Sequence, residues 1–251
     1  MTSSFESLST ELLFEIFGYL SPFDLFRIFI NLNSRLNSIV HSYPLRLDFR
    51  QISRSKFDFI CRHLQPEQVI SLFFDDENMP DQVQLFIKNF LHVKHQFTRL
   101  RSVTFSIKRR TILPALPFSI SSLSFKWSLS DWDLVAQTLV RHAKLLTHMK
   151  VDVNHQLESI DIPFPALTHL NIGRCSVVDL HRIIQRFGSS ITHLNVSVDN
   201  YQQNKKNLLP NFEQLSHCLT HLTITLSDGR KHSLSEECFC FVRCYRNSRV
   251  I

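Results

Sequence analysis

Apolar-Thr-His-apolar occurs four times in this chain: in LLTHMKVDV ending at Val153, ALTHLNIGRC from Ala166 to Cys175, SITHLNVSV ending at Val198 and CLTHLTITL ending at Leu226. After each phrase come one variable residue and then a β-branched one. A catalytic motif is normally needed once, whereas a phrase returning every few tens of residues marks a recurring structural unit. This recurrence constrains the fold more tightly than composition does.

Aligning the second apolar residue of each copy extends the series beyond the Thr-His copies. It runs through Leu72 (QVISLFF), Val103, Leu123, Met149, Leu170, Leu194 and Leu222, at spacings of 31, 20, 26, 21, 24 and 28 residues. The piece LESIDI around Ile160 interrupts the regular period. Between these strand-like pieces the apolar period changes from two to that of a helix. Ser130-Asp131-Trp132-Asp133 reads as a capping box opening a helix with Leu134, Val135, Leu139 and Val140. Leu180, Ile183, Ile184 and Phe187 form the next stripe, with Gly188 as a stop. The copy Leu167-x-x-Leu170-x-Ile172-x-x-Cys175 resembles the leucine-rich repeat. The resemblance covers roughly residues 67–226 with degenerate copies, and implies a solenoid with parallel strands on a concave side and helices outside.

In such a unit the first, fourth and sixth apolar positions face inward, and strand alternation sends the third and fifth outward. His148, His169, His193 and His221 are then expected on one exposed ladder, with Lys150, Asn171, Asn195 and Thr223 on a second beside it. These eight residues are the candidate target-binding positions. No nucleophile recurs with the histidines, so catalysis is not expected of them. Nor does any carboxylate spacing support zinc. The competing reading is that Thr-His is inherited with the duplicated unit and carries no function.

The first fifty residues differ. Leu12, Ile16, Tyr19 and Leu20 fall at helical spacing and make one apolar stripe. Ser21-Pro22-Phe23-Asp24 restarts the chain with a cap, a first-turn proline and an acidic residue. Leu25, Ile28, Phe29 and Leu32 predict the buried face of a second helix, and Leu36, Ile39 and Val40 a third. Phe14, Phe17 and Phe23 are left over as expected exposed apolar groups, which a partner would cover. Leu8, Glu11-Leu12, Ile16-Phe17, Tyr19-Leu20 and Asp24-Leu25 match, in order and spacing, the F-box, the three-helix adaptor of Skp–cullin–F-box ubiquitin ligases. Where that family usually has Pro after its first Leu, this chain has Ser9. The resemblance implies that Leu8, Ser9, Ile16, Leu20 and Leu25 contact the Skp adaptor.

The fold expected is therefore α/β: an F-box over residues 1–48, a helical linker over 49–66, repeats over 67–226, and a cap or truncated end over 227–251. Only four glycines, scattered along the chain, exclude a phosphate-cradling loop. The net charge of +6 includes one basic cluster, Lys108-Arg109-Arg110, read as a solvated loop, so nucleic acid is not expected as the main partner. Cys238-x-Cys240-x3-Cys244 lacks a second ligand pair, so the six cysteines are read as free thiols of a cytoplasmic or nuclear protein. Neither a signal peptide nor a membrane span is visible, and no cofactor is expected. The expected function is the non-catalytic substrate-recognition subunit of such a ligase, with the adaptor and cullin assembly on one part and an unidentified target protein on the other. The alternative is a repeat-built binding protein outside the ubiquitin system, contacting nucleic acid through the basic cluster.

Overall fold

The computed structural model describes residues 7–90, 92–107, 116–117, 119–127, 132–151, 163–187, 190–199 and 219–227. The chain is mixed α/β and divides into two units, Met1–Ser119 and Ile120–Ile251.

The first unit begins with three short helices, α1 (Thr10–Gly18), α2 (Pro22–Phe29) and α3 (Ser34–Ser42). Each starts on a side-chain cap, which satisfies an otherwise orphaned backbone N–H. Ser9 Oγ accepts from the Leu12 N–H at 3.4 Å, Ser21 Oγ from Asp24 at 3.1 Å, and Asn33 Oδ1 from Leu36 at 2.8 Å. The Ser21 hydroxyl also donates to the Asp24 carboxylate at 2.6 Å.

The buried faces differ from those expected. In α1 the core residues are Leu13 and Phe17, while Leu12 is 48% and Tyr19 92% exposed. Leu13/Phe17 and Leu12/Ile16 have the same i, i+4 spacing, so periodicity alone does not choose between them. Burying the large Phe17 ring does, since it packs at 5.0 Å on Phe29 and 5.5 Å on Tyr43. In α2 the core takes Leu25, Phe26 and Phe29 and leaves Ile28 exposed. Leu32 is also exposed, because α2 stops at Phe29 and Asn31 turns the backbone left-handed at φ 67°. Leu36, Ile39 and Val40 are buried in α3 as expected. Phe14 and Phe23 are half-buried rather than exposed, with Phe23 edge-on to Phe59 at 5.3 Å.

The chain continues through β1 (Leu45–Asp48), α4 (Arg54–His63), a 3-10 turn at Pro66–Gln68, β2 (Val69–Asp75), α5 (Gln82–Asn89), α6 (Val93–Gln96) and β3 (Ser102–Ile107). β1, β2 and β3 lie side by side, parallel, with Leu47 opposite Leu72 and Leu72 opposite Val103. Residues 49–66, expected as a helical linker, carry α4, which buries Phe57, Ile60 and Cys61. Burial pushes the Cys61 thiol pKa up to about 12, with the Asp58 charge adding to it, so it stays protonated. Much of this unit's core is phenylalanine: Phe49, Phe57, Phe74, Phe86, Phe97 and Phe105 are all fully buried, with Phe74 stacked on Phe105 at 5.8 Å. One polar side chain joins them. Gln82 accepts from the Asp75 N–H and donates to the Phe49 carbonyl, both at 2.9 Å, satisfying backbone groups at the ends of β1 and β2.

The second unit holds β4 (Ser122–Trp127), α7 (Trp132–His142), β5 (His148–Val151), β6 (His169–Cys175), α8 (Val177–Phe187), β7 (His193–Asp199) and β8 (His221–Ser227). Its five strands are parallel and in chain order, with Leu123, Met149, Leu170, Leu194 and Leu222 aligned in one row. The sequence alignment is thus the structural register. α7 buries Val135 and Leu139, and α8 buries Leu180, Ile183, Ile184 and Phe187. Val140 is exposed. Ser176 opens α8, its Oγ accepting from the Asp179 N–H at 3.1 Å and donating to that carboxylate at 2.7 Å. Ser130, the piece around Ile160, Gly188 and residues 228–251 lie outside the described residues. Among the described residues, no helix is long and apolar enough to cross a membrane.

Candidate binding face

Strand alternation divides every strand of the second unit between two faces. Leu146, Met149 and Val151, then Leu167, Leu170 and Ile172, then Ile191, Leu194 and Val196 are all buried, so the first, fourth and sixth positions face inward as expected. The opposite face carries the two rows. His148, His169, His193 and His221 are in register, and so are Lys150, Asn171, Asn195 and Thr223.

The four imidazoles form a stacked column. Ring centroids are 4.0, 4.0 and 4.2 Å apart, with interplanar angles of 18°, 12° and 9°. The threonines, which the sequence reading left without a role, hold each ring. Thr147, Thr168, Thr192 and Thr220 place Oγ1 2.8–2.9 Å from Nδ1 of the following histidine. Each hydroxyl also donates to a carbonyl of the preceding strand segment, at Ser121, Thr147, Thr168 and Thr192, over 3.0–3.2 Å. With its one proton on the carbonyl, the hydroxyl accepts from Nδ1–H, and Nε2 becomes the acceptor edge of a neutral ring. Thr therefore precedes His in every copy for a geometric reason: one residue ties the strand to its neighbour and fixes the ring. The constant Thr-His pairing was the available signal.

Burial holds the His169 and His193 pKa values below the ordinary histidine range, and the neighbouring imidazoles push in the same direction. The central rings thus favour the neutral form near pH 7. Parallel rings do not converge their nitrogens on one point. Among the described residues, no group of three or more His, Cys, Asp or Glu could hold a metal ion. The face offers ring edges, amides, hydroxyls and one row cation, Lys150.

In the first unit, Ser9 is exposed and caps α1. Leu8 is half-buried, with its carbonyl accepting from Arg35 at 2.6 Å, and Ile16 and Leu20 are half-buried on α1 and just after it. Leu25 is 1% exposed, in the core beneath α2, and is corrected from a contact residue to a packing one. Leu12, Tyr19, Ile28 and Leu32 are exposed apolar residues that the expected contact set omitted. No family model matches the chain, and no curated protein matches it. Lys108, Arg109 and Arg110, and the cysteines at 238, 240 and 244, lie outside the described residues.

Proposed function

We propose that this chain is the substrate-recognition subunit of a Skp–cullin–F-box ubiquitin ligase, built from an F-box and leucine-rich repeats and working in the cytoplasm or nucleus. One observation carries the reading. The three-helix segment resembling the F-box keeps several apolar side chains outside its own core: Leu12, Tyr19, Ile28 and Leu32 are exposed, and Ile16 and Leu20 are half-exposed. So many exposed apolar residues on so small a unit support a partner surface. The His and Asn rows of the second unit are the complementary support, as a face for the target. On this reading the chain supplies proximity, and the chemistry belongs to the partner subunits.

The test is co-purification with recombinant Skp adaptor. Ile16→Asp with Leu20→Asp puts charges into an apolar interface at half-exposed positions, outside the fully buried core, and is expected to abolish binding. Leu25→Asp is not a usable probe, because it would unfold the segment. Ser9 has φ −64°, the value proline imposes, so Ser9→Pro is expected to bind the adaptor at least as well as wild type. A wild-type chain that does not bind the adaptor overturns the proposal.

A further inference from the structure

The imidazole column has an end. Register continues from His148 to Ser122 on β4, where the side chain is a single hydroxymethyl group. With rings repeating at 4.0–4.2 Å, the next ring position lies over Ser122 and is not filled by that residue. Exposure follows the same geometry: His148 is exposed, whereas His169 and His193, each between two rings, are half-buried. One flat face of His148 is therefore presented beside a small residue, at the height where a further ring would stack.

The surroundings define what that ring belongs to. Lys150 lies two residues beyond His148 on the same face of β5, and Lys126 follows Ser122 and Ser124 on the same face of β4. The Lys150 ammonium disfavours an arginine stacking there and favours a ligand with a carboxylate. In an extended peptide two residues span about 6.6 Å, the same repeat as His148 to Lys150, so ring and carboxylate belong two positions apart. Nucleic acid fits less well, since a phosphate track needs a cation at each step. At the position after the histidines the next three strands carry neutral residues, Asn171, Asn195 and Thr223, with Ser197 and Thr225 beyond the last two.

We infer that the open end of the column, over Ser122, seats an aromatic side chain of an acidic target segment, stacked on His148 with a nearby carboxylate on Lys150. This deepens the proposed reading by naming the target chemistry, and it rests on that reading for the face being a target-binding surface.

The experiment uses the full-length chain with labelled histidines and the probe peptide acetyl-Gly-Trp-Gly-Glu-Asp-amide. The expected result is an upfield ring-current shift of the His148 protons that is largest in the column and absent when Trp is replaced by Leu. Lys150→Glu is expected to weaken binding about tenfold and to favour the analogue with Lys in place of Glu and Asp. Ser122→Phe fills the ring position in cis: it should block the peptide and shift His148 by itself in a folded chain. Equal binding of the Leu analogue, or a Ser122→Phe chain that folds without shifting His148, overturns the seat. A peptide that binds nowhere, or an oligouridine that binds with steep salt dependence instead, overturns the occupant. Shifts confined to His221 and Asn195 overturn the seat while leaving the face as a binding surface. Skp capture by the same preparation reports the ligase reading separately.

Discussion

His142 lies in the last turn of α7, 2% exposed, and among the described residues neither ring nitrogen has a hydrogen-bond partner. Burial lowers its pKa to about 4, with Arg141 adding to the effect. An unfolded chain binds that proton near pH 6.5, so between about pH 6.5 and 4 the unfolded state holds more protons than the folded one. Stability from this residue is complete above pH 6.5 and declines as the pH falls through that window. His142→Leu is expected to be neutral or mildly stabilising at pH 7 and to gain roughly 2 kcal/mol over wild type at pH 5. Urea denaturation at both pH values checks this, and an unchanged difference would show that the ring is solvated. Residue-level reading of sequence met its limit in α1. Choosing Leu13 and Phe17 over Leu12 and Ile16 required Phe29 and Tyr43, which reach α1 from α2 and from the end of α3.

A strand such as β6 combines two kinds of hold, and they separate by mutation. Leu170→Ala removes a buried side chain and is expected to cost roughly 2–5 kcal/mol. Thr168→Val keeps the shape but loses the hydroxyl bonded to the Thr147 carbonyl and to His169, at a cost of about 1 kcal/mol. It should nevertheless loosen the His169 ring, read as changed imidazole shifts by NMR, whereas equal destabilisation by the two changes would refute the face assignment. The strands from β2 to β8 were legible because each keeps Leu, Val or Met at the same phase of a period-two pattern. β1 was not: Leu45-Arg46-Leu47-Asp48 is only four residues long, and its partner β2 is what makes it a strand. The histidine rows were legible as positions, whereas their stacking depends on the distance between neighbouring strands, which no single copy encodes.

In the second unit each strand pairs with the one that follows it in the chain, so stabilising contacts run between neighbours. Destabilisation by Leu170→Ala is therefore expected to spread by nearest-neighbour coupling. Hydrogen-exchange protection should fall most in β5, β6 and β7 and less in β4 and β8, and a uniform loss across all five would indicate one all-or-none block. The aromatic inventory separates the two units in a different way. Both tryptophans, Trp127 and Trp132, belong to the second unit by position, while the first is built around phenylalanine rings and has none. Light absorbed at the red edge of the protein band, where only indole responds, will report the second unit alone. The helical segment proposed to meet the adaptor is optically silent at that wavelength, so one chain carries a built-in fluorophore for half of itself.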